Sequence, residues 1–371
     1  MAALSIEPEA FTATRQPLAR ASTLPPRCYT DPDFYAHEVD RVFRREWLSV
    51  GRVEQVAHPG DYFTTDPLDE PLVVVRGKDE QVRVLSRVCR HRWMPVVEGT
   101  GSRNSLQCPY HLWTYGLDGQ LLGAPEMERA EGFDKAQCRL PVLRTEIWEG
   151  WIFVNFDAQA APLAPRLEPL RRVIAPYRLA QMHGTAPLVY DSRWNWKVMV
   201  ENFIESYHHM GPHAETLQPF VPAAGTYAED SSGPYAILRN PGKDRSVPLS
   251  SMPPIEGLSK EQQMEFVVGA VFPFHLFSVN PDSMIYYQME PHGVEHFTLR
   301  IHVCVPPTAA NDPAVEQLRG FVDSVHQQDI IACRGVQTGL RSRLATQGRF
   351  SHLEKALWQF NQFILDRVAC E

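Results

Sequence analysis

Two short cysteine–histidine pairs constrain this 371-residue chain more than any other feature. Cys89-x-His91 and Cys108-x-x-His111 are separated by sixteen residues, about the length of one β-hairpin. Gly99, Gly101 and Pro109 flank them as turn formers, which sets the pairs at two loop tips able to close on one shared centre. The plainest alternative is two buried free cysteines beside two ordinary histidines. Zinc also accepts two cysteines and two histidines, but its usual finger pairs cysteine with cysteine and histidine with histidine. Here each loop offers one sulfur and one nitrogen. A [2Fe–2S] cluster with thiolates on one iron and imidazoles on the other needs that set.

The other cysteines (Cys28, Cys138, Cys304, Cys333 and Cys370) are scattered, and the total of seven is odd, so no disulfide framework is expected. Acidic residues outnumber basic ones, 44 to 36, giving a net charge of −8. That balance lacks the basic footprint of a nucleic-acid binder. No run approaches the roughly 18 apolar residues that span a bilayer. The first residues carry Glu7 and Glu9 and no apolar core, unlike a secretory signal, so a cytoplasmic location is expected. The 31 prolines argue against a long helical bundle and for many turns and strand ends.

Along the chain, residues 1–30 read as a weakly structured arm. Asp31-Pro32 is an N-cap signal for a helix with an apolar face reaching Trp47. Short apolar runs at 72–75, 82–85 and 151–156, divided by Gly, Pro and Asp, predict an all-β unit, so one domain is expected over 31–160. A second domain is expected over 161–371. Helices are predicted at 167–179 and 194–209, strands at 265–271, 284–290 and 297–305, and two closing helices after Pro313 and at 352–368. Residues 215–262 show no clear period.

The 194–209 segment places His208 and His213 five residues apart, with Gly211-Pro212 between them. Two histidines and a carboxylate form the facial site of non-haem Fe(II) enzymes, with positions left open. Glu201, Asn202, Glu205, His208 and His209 share one helix face, which a solvated polar face explains equally well, although it carries no Lys or Arg. On the helix after Pro313, Asp329 interrupts the apolar stripe Val322, Val325, Ala332, Val336. A carboxylate buried there needs a cation, either a metal or a neighbour such as Arg334 or Arg343. Glu205, three residues before His208, is within reach of that imidazole's second nitrogen.

Taken together, C-x-H…C-P-Y-H-x-W-T-Y…D-G (Cys89 to Gly119) and N-W-K…E-N-x-x-E-x-Y-H-x4-H (Asn195 to His213) resemble the signatures of the Rieske non-haem iron oxygenases. The resemblance runs from about residue 29 to 368. It departs at Trp93 and Leu112, where glycine is frequent. It implies that Cys89, His91, Cys108 and His111 hold a Rieske [2Fe–2S] cluster. His208 rather than His209, together with His213 and Asp329, would hold a mononuclear Fe(II), with Asp323 and Asp366 as poorer choices than Asp329. Catalytic roles are implied for Glu205 and Asn202, with Glu205 bridging to His111 of a neighbouring subunit. The implied fold class is α+β: an all-β Rieske domain, then a helix-grip-like catalytic domain of antiparallel sheet and helices. Implied partners are O2, a small-molecule substrate, a flavin or ferredoxin reductase passing on NAD(P)H electrons, and further copies in a head-to-tail ring, commonly a trimer. Glu205 in place of aspartate is similar to the branch acting on quaternary ammonium compounds. Aromatic-ring oxygenation is the alternative. A Rieske electron carrier without a second iron and a zinc-stabilised binding protein are remoter ones. Phe220, Phe272, Phe274, Phe277, Tyr286 and Tyr287 are candidate pocket aromatics.

Overall fold

The computed structural model describes residues 6–369; Cys370 and the first five residues of the expected arm lie outside them. The chain forms two units, one of residues 47–161 and a larger one that joins the segment before 47 to the segment after 161.

The smaller unit is built of antiparallel strands. Trp151–Asn155 lies between Leu48–Arg52 and Arg144–Trp148. A second sheet runs Val82–Ser86, Leu72–Arg76, Asp61–Thr65, Thr100–Ser102. The unbroken apolar run at 72–75 is explained by burial of every one of those residues. A third, short sheet of Leu106–Gln107, Thr114–Tyr115 and Leu121–Gly123 carries the second cysteine–histidine loop. Cys89 and Cys108 belong to the hydrophobic core beneath these sheets, packed among Val73, Leu85, Leu106 and Trp113.

The larger unit holds one eight-stranded antiparallel sheet. From Tyr227–Ala228 through Tyr235–Pro241, Glu265–Val271, His275–Val279 and Met284–Gly293 to His296–Val305, strands adjacent in sequence are adjacent in space. His183–Gly184 and Leu188–Ser192 both pair with the last strand. The long helix Ala314–Leu340 packs on that strand and on the helix Trp196–Phe203, and the helix Lys355–Val368 packs on Tyr235–Pro241. Asp312 starts the long helix by accepting the Ala314 N–H at 2.9 Å. The α+β class is as expected.

Several expectations need correction. The Asp31-Pro32 helix forms, with Asp31 capping Asp33 at 2.9 Å, but it groups with the larger unit and does not lead the smaller one. The reason is a buried polar network. Glu38 accepts from Lys197 Nζ at 2.7 Å and Trp196 Nε1 at 3.2 Å, and Tyr29 donates to Glu201 at 2.6 Å. Glu38 and Lys197 are both fully buried, and stripping one partner from such a pair costs about 3–5 kcal/mol. The smaller unit therefore begins at Trp47. The described part of the arm is not loose either: Phe11, Ala21, Leu24 and Cys28 are buried, and Gln16 and Thr14 bind Trp358 and Gln362 through their carbonyls. The helix expected at 167–179 is shorter: Glu168–Ile174 is helical, and tight 3-10 turns follow at Ala175–Tyr177 and Leu179–Gln181. Tyr235–Pro241 and His275–Val279 are strands the periodicity did not reveal. Both are buried along nearly their whole length, so no polar residue alternates to mark them.

Candidate functional site

In the smaller unit the two ligand loops are near copies of one turn. The Cys89 N–H donates to the Met94 carbonyl and the Trp93 N–H returns to the Cys89 carbonyl. In the second loop the Cys108 N–H donates to the Trp113 carbonyl and the Leu112 N–H to Cys108. Closing this turn places Trp93 and Leu112 in the left-handed region, at φ 58° and 59°. That conformation favours glycine, the residue that the family resemblance leads one to expect at both positions. The turns bury the cysteines and leave the histidines half-buried at the surface. The Nδ1 atoms of His91 and His111 stand 3.1 Å apart, and Trp113 stacks on His91 at 4.8 Å. Tyr115 takes the Arg90 N–H at 3.0 Å and presents its hydroxyl to Cys89 Sγ at 3.2 Å. Burial, then the charge of His111, lowers the His91 pKa, the direction that favours a ring nitrogen free to bind a metal. Two converging imidazole nitrogens, and two core thiols with a hydroxyl aimed at one, fit the divided N/S set of a Rieske cluster.

In the larger unit His208, His213 and Asp329 each bring one ligand atom within 4.8 Å of the others. The 194–209 helix ends early, at Phe203, and a tighter turn over Tyr207–Met210 carries His208. Glu205 explains the break: its carboxylate accepts the His208 backbone N–H at 3.1 Å, which an extended helix would keep for itself. The other oxygen accepts His208 Nδ1–H at 2.5 Å. Gln328 does the same for His213, accepting Nδ1–H at 2.7 Å while Thr216 Oγ1 donates to the same oxygen at 2.8 Å. Both rings therefore turn Nε2 toward one Asp329 oxygen, at 3.6 Å from His208 and 2.9 Å from His213. This is the arrangement in which outer partners fix the tautomer and leave Nε2 for a metal.

The rival residues are engaged elsewhere. His209 donates Nδ1–H to the Val221 carbonyl at 3.1 Å, and burial, with His208 beside it, pushes its pKa down to about 4. Asp323 accepts from Tyr190 at 2.7 Å, and Asp366 pairs with Arg15 at the surface. Glu201 is half-buried and accepts from Tyr29 and Asn361, so the expected polar face is split between two environments.

The triad lines a cavity of about 1260 Å³. Asn202, Glu205, Phe220 and Tyr287 line it as well. Phe272, Phe274, Phe277 and Tyr286 do not: the first two pack in aromatic clusters with Phe360 and Trp196, and Tyr286 stacks on His302. Phe203, Phe266 and Phe321 line the cavity without having been foreseen. Gln328 was also missed; its position just before Asp329 was the one available signal.

Residues 179–370, just over half the chain, match the ring hydroxylating alpha subunit (catalytic domain) family, and residues 46–142 match the Rieske [2Fe–2S] domain. The chain is 35% identical over 216 residues to the carnitine monooxygenase oxygenase subunit of Acinetobacter pittii, covering 56% of each chain. It thus aligns with about half the length of that relative. It is 27% identical over 367 residues to the chloroplastic choline monooxygenase of Arabidopsis thaliana, covering 93% of this chain and 82% of that one. The crystal structure of a quaternary ammonium Rieske monooxygenase in complex with its substrate L-carnitine superposes with a TM-score of 0.83 at 25% identity, covering 98% of this chain and 99% of the other. With both centres and both domain matches in one chain, the protein belongs to the ring-hydroxylating alpha subunit family and carries a Rieske [2Fe–2S] domain ahead of its catalytic domain.

Proposed function

We propose that this chain is the oxygenase component of a Rieske system. It would use O2 and electrons supplied by a reductase to hydroxylate a small quaternary ammonium or N-methyl compound, or to demethylate or cleave it oxidatively. The observation that carries the reading is the His208–His213–Asp329 triad opening into a large, mostly apolar cavity. The similarity to carnitine and choline monooxygenases supports the substrate class over aromatic-ring dioxygenation.

In this reading Cys89, Cys108, His91 and His111 hold the cluster, and His208, His213 and Asp329 hold one Fe(II). Bound iron supplies one-electron and oxygen chemistry that no side chain can. The protein's own residues do the rest. Glu205 and Gln328 hold His208 and His213 in the tautomer that offers Nε2. Tyr115 stabilises charge on Cys89. Phe203, Phe220, Phe266, Phe321 and Tyr287 offer ring faces, which attract a quaternary ammonium group without neutralising it. Asn202, half-buried in the cavity wall, offers an amide to the substrate or to a water.

The half-buried His91 and His111 edge, ringed by the exposed Trp93, Tyr110 and Leu112, is the side from which electrons would enter and leave. A second copy docking head to tail, as in a trimeric ring, would bring His111 to Glu205 of its neighbour. The test is turnover of a panel of trimethylammonium and aromatic substrates with a surrogate reductase under isotopically labelled O2. Label in a product from a trimethylammonium substrate, or labelled aldehyde where a methyl or larger group is removed, is expected. Turnover of aromatic hydrocarbons alone would overturn the substrate class.

A further inference from the structure

One buried group on the long helix takes no part in the site described above. His326 lies one turn before Asp329 on Ala314–Leu340 and is fully buried. Neither of its ring nitrogens has a hydrogen-bond partner among the described residues. Burial pushes its pKa down to about 4, so the ring is neutral at pH 7. A neutral imidazole still carries one N–H, and leaving that donor unpaired in a core is costly where a leucine or phenylalanine would pack without loss. A redox role is one of the reasons such a group is kept.

The neighbours of His326 point to that role. Two tyrosines flank the strand His296–Val305, Tyr190 on Leu188–Ser192 and Tyr287 on Met284–Gly293, and His326 touches both. Its ring centroid stands 4.4 Å from that of Tyr190 and 5.7 Å, edge to face, from that of Tyr287. Tyr287 lines the cavity with the triad and packs on Phe203 at 4.7 Å. Tyr190 does not line it; half-buried, it donates its hydroxyl to Asp323 at 2.7 Å. Gln327 Nε2 donates to the same oxygen at 3.2 Å, and the two bonds, that of Tyr190 first, hold the Asp323 carboxyl below its usual range. Asp323 is therefore an ionised proton acceptor. A phenol yields an electron readily only where its proton can leave with it, and of the two tyrosines only Tyr190 has a hydrogen-bonded carboxylate among the described residues.

We propose that Tyr190, reached from the cavity through Tyr287 and His326, is a redox-active tyrosine that drains oxidising equivalents when O2 is reduced at the triad with no substrate bound. This rests on the reading of the triad as an iron site. In each event one electron passes from Tyr190 along the Tyr190–His326–Tyr287 contact to an oxidant derived from O2, which takes a proton from cavity water. The phenolic proton moves to Asp323 and leaves a neutral phenoxyl radical on Tyr190. A thiol in solution returns a hydrogen atom to the phenoxyl oxygen, Asp323 releases its proton to solvent, and two thiyl radicals couple as a disulfide. Phe203 and Tyr287, whose rings line the cavity, are thereby spared oxidation.

The test mixes fully reduced, iron-loaded oxygenase with O2 in the absence of substrate and freezes it for electron paramagnetic resonance, using protein grown on ordinary or ring-deuterated tyrosine. A tyrosyl signal narrowed by deuteration is expected in the unaltered protein, weaker in Asp323→Asn and His326→Leu, and lost in Tyr190→Phe. Peptide mass spectrometry of the same samples should find severalfold more oxygen added to Phe203 and Tyr287 in Tyr190→Phe, with iron content and the cluster's visible spectrum unchanged. With mononuclear iron present, the lack of a tyrosyl signal in the unaltered protein, its persistence in Tyr190→Phe, or equal damage in the two proteins would overturn the inference and leave the iron reading standing. Samples of loaded protein holding no mononuclear iron would overturn both.

Discussion

The two candidate metal centres are built on opposite plans. In the smaller unit all four ligands come from two neighbouring loops, and one repeated backbone turn sets their geometry. In the larger unit the ligands come from a short turn, the residues just after it, and a helix more than a hundred residues further on, so side chains do the aligning. The first centre owes its geometry to backbone conformation; the second owes it to Glu205 and Gln328. Substitutions at the second centre should therefore separate metal binding from fold, whereas those at the first should act through local strain.

The largest effect is expected at Asp329. Asp329→Ala leaves two imidazoles, which bind Fe(II) weakly without a carboxylate, so the mononuclear metal and all turnover should be lost while the cluster's visible spectrum persists. Full iron and activity in that variant would move the carboxylate ligand elsewhere and break the comparison. Glu205→Gln comes next. A glutamine oxygen still accepts a hydrogen bond from His208, so both metals and the oligomer should largely remain. Loss of the charge should nevertheless slow single-turnover oxidation of the reduced cluster to a small fraction of the wild-type rate. Wild-type rates would make Glu205 an aligning group only.

These two residues also show what the sequence could reveal. The cysteine–histidine loops are legible because a backbone turn is a local property, and its ligands fall within one stretch of chain. His208 and His213 are legible by spacing, but the form of their support is not. The same Glu205 that orients His208 also takes its backbone N–H and ends the helix, and a periodic pattern of side chains carries no trace of that competition. The leading helix was legible as a helix and misplaced as to domain. What holds it is Glu38 against Lys197, an ion pair between residues far apart in the chain. Asp329 was legible as a charge out of place on an apolar stripe. Gln328 was not, since its neighbour His213 is brought to it only by the fold.

Smaller effects sharpen the contrast. Gln328→Leu removes the acceptor from His213 and should weaken iron binding about 10- to 100-fold, the usual loss for an outer partner of a metal-bound histidine. A metal titration of the iron-free protein measures it, with the cluster spectrum as an internal control. At the other centre Trp93→Gly relieves a left-handed conformation in a bulky residue. Thermal unfolding should show a stability change of no more than about 1 kcal/mol, in the stabilising direction if strain outweighs the entropy glycine adds to the unfolded chain. A loss of several kcal/mol would show that the exposed indole holds the loop together and that the turn alone does not.

The most direct test of two separate centres in one chain is metal and acid-labile sulfide analysis of protein purified without oxygen. The account predicts about three irons and about two labile sulfides per chain, with one iron removed by chelation while the sulfide stays. One zinc per chain without sulfide would contradict the cluster, and two irons with two sulfides that no added Fe(II) supplements would contradict the triad.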